Sequence, residues 1–172
     1  MRTAQVSRKT KETDISLALR LDGTGKAEIA TGVGFFDHML ELLTVHSRMD
    51  VTLSCKGDLQ VDAHHTVEDV GIALGDCVKA ALGDKRGIAR FADRLVPMDE
   101  VAAQVAVDFS GRPCLIFEDT LTGKVGNFDM ELVEEFLRAF STHAACNLYV
   151  RILRMGNLHH EAEAIFKALA LC

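Results

Sequence analysis

Two histidine doublets concentrate the chemistry of this 172-residue chain: His64-His65-Thr66-Val67-Glu68 and, 95 residues later, His159-His160-Glu161-Ala162-Glu163. They hold four of its seven histidines, more than packing requires. A single His-His pair on a surface is ordinary; two pairs, each followed at the same spacing by a glutamate, form a metal-binding pattern. On a helix His64 and Glu68 stand at i and i+4 on one face and can ligate one ion, whereas His65, turned about 100° away, must address another. His159 and Glu163 repeat the chelating pair, and His160 repeats the single reach. His38 lies 26 residues before His64, and Glu135 lies 24 before His159, each in the first helix of its half. The expected sets are His64, Glu68, Glu135 and His160 on one ion, and His38, His65, His159 and Glu163 on the other. Folding the halves together or pairing copies from neighbouring subunits would assemble them. By spacing alone Glu135, beside Glu134, reads equally well as a solvated helix residue. Four nitrogen and oxygen ligands without thiolate leave two positions open on an octahedral ion. This suits manganese, iron or another first-row divalent metal rather than a closed structural zinc site, and open positions imply a substrate.

These ligands need elements to hold them. Alternating apolar residues over 15–21 run through Asp22-Gly23-Thr24-Gly25 into 27–31, which predicts a hairpin; 101–109, Ser110-Gly111-Arg112-Pro113 and 114–118 predict another. Helical spacing follows each. Phe36, Met39, Leu40 and Leu43 mark a helix over 35–46, and Leu132, Val133, Phe136, Leu137 and Phe140 mark one over 129–145. Strands over 51–55 and 148–153 come next, and each doublet then opens a second helix, the first of which ends at Gly83. Gly71 and Gly75, one turn apart in that helix, each cost about 1 kcal/mol against alanine, so close backbone packing is expected there. The fold class is therefore α/β, an α+β sandwich in which an internally duplicated ββαβα unit packs its sheets against helices. Residues 1–86 and 87–172 are the expected copies, together one catalytic domain. The repeat offset carries Gly83 to a position beyond Cys172, so the chain is expected to stop inside its last helix.

Composition narrows the partners. A formal net charge of −6 argues against general nucleic-acid binding, which needs a basic face, but leaves room for a local basic pocket for an anionic small molecule. No apolar stretch reaches membrane-span length and the N-terminus lacks the apolar core of a signal peptide, so a cytoplasmic protein without a membrane partner is expected. Five scattered cysteines, an odd number with no CxxC pair, indicate reduced thiols rather than a disulfide framework or zinc knuckle.

At these residues the chain resembles the imidazoleglycerol-phosphate dehydratases, over nearly its whole length. The resemblance is carried by Arg8-Lys9-Thr10-Lys11-Glu12-Thr13, Thr31-Gly32-Val33-Gly34-Phe35-Phe36-Asp37-His38-Met39-Leu40 and Asp62-Ala63-His64-His65-Thr66-Val67-Glu68-Asp69. It continues through Gly87-Ile88-Ala89-Arg90-Phe91, Pro97-Met98-Asp99-Glu100, Ser110-Gly111-Arg112-Pro113 and the run from His159 to Lys167. It implies a large homo-oligomer with two manganese ions at subunit interfaces, and loss of water from D-erythro-imidazole-glycerol phosphate to give imidazole-acetol phosphate in histidine biosynthesis. By the same resemblance His38, His64, His65, Glu68, His159, His160 and Glu163 match ligands, and the position of Glu135 takes histidine or glutamate. Glu12, His46, Arg90 and Arg112 match substrate-contacting positions.

The chemistry fits these parts. Expelling hydroxide after removal of a poorly acidic proton needs an electron sink, which an imidazole ring bridged between two cations provides. The forked donors of Arg90 and Arg112 suit phosphate, Lys167 adds a further cation, and Glu12 is the candidate for proton transfer. Family chains continue past Ala168 to a Ser/Thr-Lys-Gly tail that closes over substrate; with nothing after Cys172, metal binding is expected to persist and turnover to weaken. His143, eight residues after Glu135 as His46 is after His38, has no place in the family pattern and is expected at the surface or in packing. Two readings compete: a binuclear hydrolase of phosphorylated substrates, which lacks its usual Asp-rich cluster here, and a non-enzymatic module cemented by metal.

Overall fold

The structure is a computed structural model that describes residues 1–172. The first half runs β1 (Thr3–Lys9), β2 (Thr13–Arg20), β3 (Ala27–Ala30), α1 (Gly34–Ser47), β4 (Asp50–Gly57) and α2 (His64–Leu82). The second half runs β5 (Phe91–Met98), β6 (Val101–Asp108), β7 (Cys114–Phe117), a small β8–β9 hairpin (Lys124–Val125, Phe128–Asp129), α3 (Leu132–Ala144), β10 (Asn147–Arg154) and α4 (Leu158–Leu171). Each half builds one four-stranded sheet, ordered β1-β2-β4-β3 and β5-β6-β10-β7, so the two are topologically equivalent.

Both predicted hairpins are corrected by this topology. β2 pairs antiparallel with β1 and β4, while β3 lies parallel to β4 and never touches β2. Likewise β7 runs parallel to β10 instead of folding back on β6. The Asp22 to Gly25 segment is thus an exit loop, held by Asp50, whose carboxylate accepts from the backbone N–H of Thr24 and Lys26. Each unit also has a strand ahead of those expected, β1 and β5, whose half-exposed residues give little apolar alternation to read.

The inner face of each sheet is apolar: Ile15, Leu17 and Leu19 of β2 and Val101, Ala103, Val105 and Val107 of β6 are buried. Helices fill the space between the sheets and share one core. Phe136 of α3 stacks on Phe166 of α4 at 5.3 Å and meets Phe36 of α1 edge-on at 5.4 Å, so both halves contribute to the same aromatic cluster. All four helices run in one direction. Gly71 of α2 faces Phe136 and Ala139, and Gly75 one turn on faces Phe140, His143 and Ala144, which makes α2 and α3 parallel. The far ends of all four meet around a cavity of about 390 Å³ that Leu43, Leu82, Phe140 and Leu169 line.

The two glycines of α2 are there for proximity. A Cβ on Gly71 would lie 2.8 Å from the Phe136 carbonyl oxygen, and one on Gly75 2.8 Å from both the Ala144 nitrogen and the Phe140 oxygen. Backbone atoms cannot yield as a side chain can. Alanine at either site should therefore destabilise the fold by about 1–3 kcal/mol of overpacking, outweighing a helix-propensity gain of about 1 kcal/mol. Urea denaturation checks this, and an unchanged or raised midpoint would show that α2 and α3 can separate freely.

Candidate functional site

Parallel helices put four N-termini at one end of the molecule, and the ligand candidates are on them: His38 on α1, His64, His65 and Glu68 on α2, Glu135 on α3, His159, His160 and Glu163 on α4. Local contacts set each entry. Asp37 takes the backbone N–H and hydroxyl of Thr31 on one carboxylate oxygen, tying the loop after β3 to the first turn of α1 beside His38. Asp62 accepts from the His64 N–H, and Asn157 caps α4 by accepting from the His159 N–H, both at the start of a doublet.

Three of the candidates converge. His38 Nε2 and His159 Nε2 each lie 3.0 Å from Glu163 Oε1, and the Phe35 ring stands edge-on to His159 at 5.1 Å. The three donor atoms lie within 4.8 Å of one another, close enough for one ion to be held between them. His159 and Glu163 sit at i and i+4 on α4, and α1 delivers His38. Glu163 is buried, and its other oxygen accepts from Lys167 Nζ at 2.5 Å. Burial pushes the Glu163 carboxyl up, but Lys167, His38 and His159 together outweigh it and bring the pKa to about 2. The group is a carboxylate at any working pH.

The remaining candidates stand apart within one chain. His65 is not with His38, His159 and Glu163; its Nδ1 lies 2.9 Å from Asp58 Oδ2, which raises its pKa. His160 Nδ1 lies 3.0 Å from Glu100 Oε2, with Asp99 3.8 Å from its Nε2. The His64 and His65 rings stand nearly perpendicular with centroids 6.2 Å apart, as adjacent helical positions require. Glu135 lies 3.9 Å from Arg138, while Glu134 takes the closer contact with that arginine. Since α2 and α3 run side by side, Glu68 and Glu135 share one level of the helix layer.

The predicted substrate residues divide between two ends. Glu12 is exposed on the β1–β2 turn at the ligand end, close enough to His65 to contribute to its raised pKa. His46, Arg90 and Arg112 are elsewhere. Arg90 makes a forked pair with Asp108, 2.7 and 3.1 Å, and lies 4.7 Å over the Phe91 ring. Arg112 and Lys85 add positive charge around Asp108, whose pKa is lowered chiefly by Arg90. Phe91 pairs with Asp108 at one end of the β5–β6 ladder and Met98 with Val101 at the other, so this basic cluster lies roughly 23 Å along the strands from Glu100. His46, two turns beyond His38, lines the cavity at the helix C-termini. His143 is half-buried and bonds to Asp76. All five cysteines are free thiols.

Sequence reading overlooked the carboxylates on the doublets' second histidines. Glu100 stood within a quoted motif without a role, and Asp58 carried no signal at all. It also missed that Arg8 and Thr13 both donate to buried Asp69, one residue after Glu68, which ties the Glu12-bearing turn onto α2.

Comparison with known proteins gives the family. Residues 31–172 match the family model described as imidazoleglycerol-phosphate dehydratase. The protein of that name from Methylorubrum extorquens is 58% identical over 171 residues, 99% of this chain and 88% of its own length. The one from Azorhizobium caulinodans is 56% identical, covering 99% and 87%. The crystal structure of imidazoleglycerol-phosphate dehydratase from Staphylococcus aureus superposes with a TM-score of 0.89 at 40% identity, covering 98% of this chain and 94% of that one. The Pyrococcus furiosus structure in complex with (S)-C348 gives 0.84 at 31%, covering 96% and 89%. By sequence over 99% of its residues and by fold, the chain belongs to the imidazoleglycerol-phosphate dehydratase family.

Proposed function

We propose that this chain is a hydro-lyase that removes water from imidazole-glycerol phosphate to give imidazole-acetol phosphate, a cytoplasmic step of histidine biosynthesis. The observation that carries the reading is the convergence of His38, His159 and Glu163 at 3.0 Å in a chain of this family. No helix is long and apolar enough to cross a membrane. Residues 1–86 and 87–172 act as two copies of one unit and together form a single catalytic domain.

His38, His65, His159 and Glu163 would hold one first-row divalent ion, manganese by preference, and His64, Glu68, Glu135 and His160 a second. Such ions would supply positive charge that lets an imidazole ring serve as the electron sink for loss of a carbon-bound proton. The chain's own residues do the rest. Glu12, exposed and anionic at the ligand end, exchanges the proton. Arg112 makes no ion pair and, with Arg90 and Lys85, forms a cationic patch for the phosphate dianion. Because this patch and His46 lie far from the histidine cluster of the same chain, they serve the site of a neighbouring copy in a homo-oligomer.

The test is turnover. The purified chain loaded with manganese and given imidazole-glycerol phosphate should produce a species lighter by one water, detected by mass spectrometry, and should stop on chelation. A fully metallated protein that leaves the substrate untouched would overturn the reading.

A further inference from the structure

The second histidine of each doublet is gripped at the same ring atom by a carboxylate that the repeat does not relate. Asp58 reaches His65 Nδ1 from the segment just before α2, while Glu100 reaches His160 Nδ1 from the β5–β6 turn, at 2.9 and 3.0 Å. Applying the repeat offset to Asp58 leads to Leu153, not to Glu100. The same contact is thus made twice by different routes.

An ionised carboxylate only accepts, so in both pairs the imidazole must donate through Nδ1–H. In a neutral ring that leaves Nε2 with a lone pair. Glu100 is fixed for this role by geometry: its Oε1 accepts from the Asn157 backbone N–H, which leaves Oε2 to face the His160 ring. We infer that Glu100 is a positioning residue that fixes His160 in the tautomer able to ligate a metal through Nε2, and that Asp58 does the same for His65. The inference rests on the proposal that His160 and His65 are ligands.

The two carboxylates differ in a way that makes the idea testable. Glu100 is clamped at both oxygens: Oε1 accepts from the Asn157 N–H at 2.7 Å, and Oε2 faces His160. Gly156 closes over it, since a Cβ there would lie 2.5 Å from Oε1. In Glu100→Gln the Asn157 N–H still demands the amide oxygen, so the NH₂ must turn to His160 Nδ1. That amide donates, selects the Nε2–H tautomer and blocks ligation. Asp58 has no second anchor; its Oδ1 is buried without a partner, so an amide at Asp58→Asn is free to present its oxygen to His65.

Manganese affinity, measured on metal-free protein by competition with a chromophoric chelator, reads this directly. Glu100→Gln should lose roughly 10–100-fold in affinity and be at least as impaired as Glu100→Ala, whose empty site leaves Nδ1 to water. Asp58→Asn should stay near the parent. A residue that merely caps α4 predicts the reverse order, because glutamine keeps the Asn157 contact and alanine does not. Glu100→Gln binding manganese like the parent, or better than Glu100→Ala, would overturn the inference while a weakened His160→Ala upholds the ligand assignment. Unchanged binding by His160→Ala would overturn both.

Discussion

Replacing Glu163 by glutamine should reduce manganese affinity by about 10²-fold or more, and turnover with it, because this carboxylate serves three partners at once. One oxygen meets both His38 and His159, and the other accepts from Lys167. An amide has a single acceptor and must abandon either the histidine side or the lysine. Breaking a largely buried charge pair costs the metal-free fold about 3–5 kcal/mol, and the loss of an anionic oxygen beside His38 and His159 falls separately on the metal. The side chains of Glu163 and Lys167 are only 10% and 19% exposed, so solvent repays little. Glu68, its counterpart in the repeat, has Ile72 where Lys167 would stand and no ion pair of its own. Glu68→Gln should therefore impair metal binding without lowering the stability of the metal-free fold, whereas Glu163→Gln lowers both. Isothermal titration with manganese and chemical denaturation of the metal-free proteins separate the two. Equal stability losses would show that Lys167 contributes nothing. The acid side has a matching signature: the stability Glu163 confers is complete above the usual carboxylate range near 4.5 and is lost as pH falls toward about 2.

The core was legible from periodicity because burial follows it. Phe36, Met39, Leu40 and Leu43 on α1, and Phe136, Leu137 and Phe140 on α3, are buried as their spacing predicts. The α2 glycines were legible for the same reason, since only close approach compensates their helical cost. Strand pairing was not. Asp22-Gly23-Thr24-Gly25 has hairpin chemistry, but Asp50 satisfies that loop from another strand, and local turn preference yields to the ladder between β2 and β4. The chelating face of α4 could be read because i and i+4 are geometry, and His38 followed from the repeat. Asp58 and Glu100 could not, because they reach their histidines through tertiary contacts that leave no periodic trace. Nor does a linear sequence reveal that Arg90 and Arg112 sit at the far end of the strands from the doublets.

Stripping the metal should break the assembly into smaller particles and abolish turnover, and restoring manganese should reverse both. Eight ligand candidates lie at the helix N-termini, but within one chain only His38, His159 and Glu163 converge; His65 and His160 are engaged by Asp58 and Glu100 elsewhere on that end. The proposed four-ligand sets therefore call for a side chain from a second copy, which would make the ion the bond between copies. That end carries several carboxylates: Asp58 beside His65, Asp99 and Glu100 beside His160, and Glu12, Glu68 and Glu135 on the β1–β2 turn and the first turns of α2 and α3. Bringing two such surfaces together without cations stacks like charges, which at close range costs more than exposed salt bridges return. Metal binding to multi-ligand sites supplies on the order of 10 kcal/mol, enough to reverse that balance. Light scattering of the protein before chelation, after it and after manganese addition reads the particle mass at each stage. A mass that stays constant through chelation would place both ligand sets inside single chains, and with them the partners of His38, His159 and Glu163.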